Sequence, residues 1–247
     1  MKAKKHDESS YGDLITKIGL LFINKPYKAG TLEKSGKENL IVNVSSFDCT
    51  TFVETVLALA QCVAAGNISK HEFRKNLKSI RYRHGKIDGY SSRLHYFTDW
   101  LRDNEKKGVL TDVSSSLGGK PQQKKINFMT VHRELYPALQ NKAQLARMVS
   151  IEKILYRKTF SVIEKDKVTT QRSKIYNGDI VAFTTNQEGL DVAHVGFAFW
   201  QGKSLRLLHA SSKEGAVAIS KKNLVAYLKS NKKFTGIIVA RPNNLSY

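Results

Sequence analysis

Three side chains in this sequence have the types and settings needed for nucleophilic acyl transfer: Cys49, His194 and His209. Cys49 follows Ser45-Ser46-Phe47-Asp48 and precedes the apolar run Phe52 to Ala65, which Gly66 and Asn67 close. That pattern predicts a helix with the cysteine at its start. A thiol there meets the positive end of the helix dipole and backbone N–H groups without partners inside the helix, and both favour the thiolate. The same donors can hold an oxyanion after sulfur attacks a carbonyl. Taken alone, Cys49 reads more readily as a small buried hydrophobe.

The histidines shift that balance. His194 lies in Val192 to Trp200 and His209 in Lys203 to Ala210, two strand-like runs joined at Gln201-Gly202. A two-residue loop at that junction pairs Trp200 with Lys203 and sets His194 opposite His209 on one face, with Cβ atoms about 5 Å apart. Gly196, two positions beyond His194, leaves room for a partner to approach. A helix-start cysteine with two facing histidines predicts a Cys-His-His relay: His194 takes the thiol proton and His209 orients His194. The same three residue types are zinc ligands, so a metal site is the competing chemistry. Asn43 is a candidate second oxyanion donor or a turn residue, and Asp48 either starts the helix or touches substrate. Cys62 lies in the same helical run, about 20 Å from Cys49 at 1.5 Å per residue, beyond disulfide reach, and reads as buried packing.

Around these residues, the first half of the chain reads as helical and the last third as sheet, which predicts an α+β fold with N-terminal helices packed on an antiparallel sheet. Helical periodicity covers Tyr11 to Phe22, Phe52 to Ala65, Ser69 to Ile80, Ser92 to Lys107, Met129 to Gln140 and Ala143 to Arg157. Strands are predicted at Leu40 to Val44, Thr159 to Ile163, Asp179 to Thr184, Val192 to Trp200, Leu205 to Ala210, Ala216 to Ile219 and Phe234 to Ala240, with a helix at Leu224 to Leu228. With 247 residues and no low-complexity linker, the expectation is one domain over 11–247, preceded by a basic, flexible segment at 1–10 that lacks the apolar core of a secretory signal. No stretch approaches the roughly 20 apolar residues that cross a bilayer. The 41 Lys and Arg against 21 Asp and Glu give a formal charge of +20, which calls for a polyanionic partner or surface. The basic residues are dispersed as short pairs such as Lys221-Lys222 and Lys232-Lys233, without a zinc-finger or aromatic RNA-binding signature, so nucleic acid is not the expected partner.

Four segments carry a family resemblance: Phe47 to Glu54, Ser92 to Tyr96, Asp191 to Gly196, and His209 to Ser212. Together they resemble the N-acetylmuramoyl-L-alanine amidase-like branch of the NlpC cell-wall cysteine peptidases, over roughly Tyr11 to Arg241. The resemblance implies a papain-like fold and a Cys-His-His triad at Cys49, His194 and His209, with no cofactor or metal. It implies muropeptide substrates, cut at the amide between the lactyl group of N-acetylmuramic acid and L-alanine. Arg93, His95 and Tyr96, on a predicted helix start, would then contact substrate: the guanidinium a stem-peptide carboxylate, the phenol ring a sugar face, the imidazole a polar group. A salt-bridged helix is the alternative for those three. The implied location is the periplasm or cell envelope, with the cytoplasm as the alternative. The rival functions are a stem-peptide endopeptidase of the same fold and a basic nucleic-acid-binding protein.

Overall fold

The computed structural model describes the backbone of residues 3–33 and 36–244, and side chains within those ranges from Tyr11 onward. Helices α1 (Ala3–Leu20), α2 (Cys49–Ala64), α3 (Lys70–Arg81) and α4 (Phe97–Lys106) come first. Short strands β1 (Leu110–Asp112) and β2 (Lys120–Gln123) follow, then α5 (Phe128–Val131) and α6 (Lys142–Tyr156). The remainder runs β3 (Thr159–Glu164), α7 (Val168–Gln171), β4 (Ile180–Thr185), β5 (Val192–Gln201), β6 (Ser204–Ser211), β7 (Ala216–Ile219), α8 (Leu224–Ser230) and β8 (Phe234–Pro242). The sheet order is β2-β3-β8-β4-β5-β6-β7, with β1 also on β8, and every pairing is antiparallel. The expected α+β class with an antiparallel sheet is what the chain forms.

Central strands β4 and β8 carry unbroken apolar runs, Ile180-Val181-Ala182-Phe183 and Ile237-Ile238-Val239-Ala240, because both faces of the sheet are covered. On one face Phe52, Val56 and Leu57 of α2 pack with Trp100 of α4 against Val195, Phe197, Leu208 and Ala210. Each large side chain so buried contributes about 1.5–3 kcal/mol. On the other face Leu224 and Leu228 of α8 cover Phe183, Ala198, Leu207 and Val239. A third cluster under α6 joins Tyr96, Met129, Met148 and Leu155.

Several expectations are corrected. Leu40 to Val44 forms no strand: Val42 and Val44 are exposed, and the segment is held as a loop by Arg81 donating to the Ile41 carbonyl at 2.6 Å. The helix expected from Ser92 begins at Phe97; Tyr90–Ser92 is a 3-10 turn and Arg93 forms an isolated bridge with Tyr82. The helix expected over Met129 to Gln140 breaks into α5 and two 3-10 turns, with Pro137 opening the last of them. The segment 1–10 falls partly on residues 1–2, outside the described residues; α1 begins at Ala3.

The β5–β6 hairpin decides where the histidines stand. Gln201 pairs with Ser204 and Trp200 with Leu205, so the two-residue turn is Gly202-Lys203, one residue later than expected, with Gly202 at φ 57°. Glycine takes the first turn position because that position needs positive φ. Moving the turn by one shifts the register by two, so His194 is a diagonal neighbour of His209, on the same face, and no longer its direct partner. The residue brought against His209 is Gly196: a Cβ there would lie 2.8 Å from the His209 Cβ and 2.9 Å from the Leu208 carbonyl oxygen. Gly196→Ala should therefore push the two rings apart while the remaining core keeps the chain folded. Loss of catalytic turnover with near-native circular dichroism is the expected result; full turnover in a folded Gly196→Ala protein would contradict the register argument.

Candidate functional site

Cys49 is the first residue of α2, and the sequence around it makes the helix start there. Asp48 caps the helix by accepting from Thr51 N–H at 2.7 Å, and Thr51 Oγ1 accepts from Asp48 N–H at 3.0 Å, a reciprocal capping box. Asp48 is thus committed to the cap. Cys49 is half-buried as a residue, and burial of the thiol pushes it up to about 11, assisted by the Asp48 carboxylate. Hydrogen bonds from the Val195 backbone and from Thr50 pull the other way without prevailing. Desolvation is the largest influence on the thiol and makes the resting group neutral, in contrast to the thiolate expected from its position alone.

His194 and His209 meet through ring nitrogens: His194 Nε2 and His209 Nδ1 are 2.6 Å apart, with ring planes at 79°. With Nε2 so engaged, Nδ1 is the nitrogen His194 has left for a thiol. Burial pushes His194 well below the ordinary imidazole value, and the neighbouring His209 adds to the depression. Burial does the same to His209, offset in part by the Glu214 carboxylate. Both rings are therefore neutral at pH 7, as a general base requires. Cys49 and His194 line one cleft of about 80 Å³ with His95, Trp100 and Asp191. Asp191 ties the start of β5 to α4, accepting from Thr98 N–H at 2.7 Å, Thr98 Oγ1 at 2.8 Å and Val192 N–H at 2.8 Å.

The other candidates separate cleanly. His95 stands in the cleft, where its Nε2 meets the Tyr90 carbonyl at 2.9 Å; a carbonyl only accepts, so Nε2 carries the proton and Nδ1 is an acceptor. Burial holds it well below the ordinary histidine value. Arg93, assigned a substrate carboxylate from sequence, is instead 5% exposed and paired with Glu33 at 2.9 Å and Glu38 at 3.4 Å. Tyr96, assigned a sugar face, is 2% exposed, donates to Glu152 at 2.7 Å and accepts from Met129 N–H. Asn43 closes a turn, accepting from Ser45 and Ser46 N–H. For Arg93 and Tyr96 a partner from a distant segment takes the polar group, and sequence spacing does not reveal such partners. Two aromatics went unread. Tyr227 of α8 lies 5.4 Å from the His209 ring and 6.1 Å from that of His194. Burial raises the phenol of Tyr27, and the neighbouring Cys49 and Asp48 add to the effect.

These shifts have a pH signature. A base held below its ordinary value stays neutral until pH falls through the lowered value, so turnover should persist through pH 5, where an ordinary imidazole near 6.5 is mostly protonated. Stability has the other sign of response: the unfolded chain binds protons at these histidines below about 6.5 and the folded chain does not, so stability falls as pH drops through that range. Pre-steady-state rates and melting temperatures measured from pH 4 to 8 check both, and an acid limb near 6.5 in the rate would contradict the burial argument.

With the geometry established, comparison with known proteins gives a consistent picture. Residues 17–237 match the family model described as AmiA-like, N-acetylmuramoyl-L-alanine amidase-like. No protein of curated function matches. Among solved structures, an N-acetylmuramoyl-L-alanine amidase from Bacteroides uniformis ATCC 8492 superposes with a TM-score of 0.90 at 41% identity, covering 95% of this chain and 99% of that one. A Bacteroides fragilis protein given the provisional name xylanase superposes at 0.86 with 46% identity, over 91% of this chain and 99% of the other. A protein from Legionella pneumophila str. Philadelphia 1 matches at 0.72 with 27% identity, over 94% and 89%. Since the family model spans most of its length and the likeness to the Bacteroides uniformis amidase extends over nearly all of both chains, this chain belongs to the AmiA-like, N-acetylmuramoyl-L-alanine amidase-like family.

Proposed function

We propose that this protein is a cysteine-dependent N-acetylmuramoyl-L-alanine amidase working through Cys49, His194 and His209 on a papain-like, NlpC-type arrangement, and that it acts on muropeptides in the cell envelope or periplasm. The observation that supports it most is the 2.6 Å contact between His194 Nε2 and His209 Nδ1, beside a cleft that Cys49 shares with His194. His194 Nδ1 takes the thiol proton as sulfur attacks the lactyl carbonyl, and a neutral thiol with a neutral imidazole makes attack and proton transfer a single general-base step. The oxyanion rests on the Cys49 N–H, an unpaired donor at the first position of α2. Collapse breaks the C–N bond, and the proton on His194 goes to the departing L-alanine amine. Water, deprotonated by the same ring, then hydrolyses the thioester to the sugar carboxylate and free thiol. His209 holds the orientation of His194 throughout.

The name carried by the Bacteroides fragilis relative suggests sugar hydrolysis, which needs two carboxylates flanking the bond. The cleft holding Cys49 is lined by one, Asp191, whose oxygens are already bonded to Thr98 and Val192. The amidase reading fits these residues and the glycosidase reading does not.

Substitutions at the three triad positions test it on purified muropeptides, with products identified by mass spectrometry. Cys49→Ala and His194→Ala should each lower kcat by a thousandfold or more, and the double variant little further, since residues acting as a unit are non-additive. His209→Asn should lose less than His209→Ala, because an amide can still orient the ring. Wild-type activity in Cys49→Ala, or release of a peptide lacking N-terminal L-alanine, would refute the proposal.

A further inference from the structure

Behind the histidine pair lies a second cavity of about 510 Å³, which His194 and His209 line together with Lys213, Glu214, Lys221, Lys222 and Lys232. Four ammonium groups against one carboxylate make it basic, and Glu214 is itself paired with Lys221 at 3.4 Å. His209 is 1% exposed, and its Nε2 has no hydrogen-bond partner although Nδ1 is bonded to His194. A buried ring nitrogen is costly to leave without a partner, and no protein group among the described residues supplies one here.

The missing partner bears on catalysis, because each neutral ring carries one proton and the pair has two arrangements. If His209 holds its proton on Nδ1, it donates to His194 Nε2, and His194 then carries its own proton on Nδ1, where it cannot accept one from Cys49. If His209 holds its proton on Nε2, His194 donates from Nε2 and presents a bare Nδ1. Only the second arrangement is a base, and it leaves a buried Nε2–H on a ring that lines the basic cavity. An anion accepting from that N–H selects the working arrangement. We propose that the cavity binds a carboxylate of the substrate's peptide arm, which accepts from His209 Nε2–H among the surrounding lysines and sets the His194–His209 pair in its base-competent form. This rests on the amidase reading above. Of the two arms flanking the lactyl–alanine amide, the N-acetylated sugar is uncharged and the peptide necessarily ends in a carboxylate, so charge assigns the peptide arm to the basic cavity.

The test uses Cys49→Ala protein labelled with 15N-histidine, titrated with an intact muropeptide and with the same muropeptide amidated at its carboxylates. The intact ligand should move the His209 resonances to the Nε2–H form. Amidation should weaken binding about tenfold or more, the scale of a charge-assisted hydrogen bond. Lys213→Gln with Lys222→Gln, both exposed positions, should weaken the intact ligand severalfold and leave the amidated one unaffected. Acetate or phosphate alone, producing the Nε2–H form at millimolar concentration, would assign the cavity to free anions and overturn the peptide assignment. Equal affinity for the two ligands, or a His209 tautomer already Nε2–H and unmoved by ligand, would overturn the inference. Wild-type protein that cleaves intact and amidated muropeptides equally well would sink this inference and leave the amidase reading standing; wild-type protein that releases no L-alanyl peptide from either would sink both.

Discussion

The bond between His194 Nε2 and His209 Nδ1 is the constraint on which the site depends, and it exists because β5 and β6 pair two residues out of direct opposition. A ring placed directly across from another would compete with it for the same space above the sheet. The diagonal placement instead lets the rings meet nearly edge to face, with Gly196 leaving the gap into which His209 settles. The turn at Gly202-Lys203 sets that register, so a backbone preference at a surface loop governs geometry several residues away.

Burial then sets the chemistry. Tyr227 and Phe183 pack against the His194 ring, and desolvation keeps both imidazoles neutral and the Cys49 thiol protonated. A site of this kind holds no separated charge at rest. Charge develops only in the transition state, where the α2 N-terminus can meet it. The loop leading into α2 is held with comparable firmness. Arg81 donates to buried Glu54 at 2.7 Å and to the Ile41 carbonyl, while Arg93 faces Glu33 and Glu38. Removing one partner of the buried Arg81–Glu54 pair strands the other charge, at a cost of about 3–5 kcal/mol, and both arginines are positioning residues for the polypeptide around Cys49.

Much of this was legible from residue pattern, for identifiable reasons. The apolar run closed by Gly66 placed Cys49 at a helix start, and its cap, Asp48, was among the readings entertained. The alternation in β5 and β6 placed both histidines on one face because a register error of two preserves parity. What escaped were features set by distant partners. Arg93 and Tyr96 read as substrate contacts or as salt-bridged, partly buried groups, and only the arrival of Glu33, Glu38 and Glu152 from elsewhere in the chain decides between the two. β2, Lys-Pro-Gln-Gln, has no strand propensity of its own and forms on the edge of β3. The protonation of Cys49 departs from expectation for a related reason: a helix start is visible in sequence, and the burial around the thiol is not.

The central claim is that the lactyl carbonyl is transferred to Cys49 before it reaches water. Hydroxylamine trapping tests this most directly, because it intercepts a thioester and has no intermediate to intercept if water attacks the amide in one step. The account predicts that turnover in millimolar hydroxylamine yields the hydroxamate of the muramic acid lactyl group alongside unmodified L-alanyl peptide, with the acyl adduct mapped to Cys49 in acid-quenched enzyme. Release of the peptide with only the free sugar carboxylate formed at any hydroxylamine concentration, and no adduct on Cys49, would contradict it.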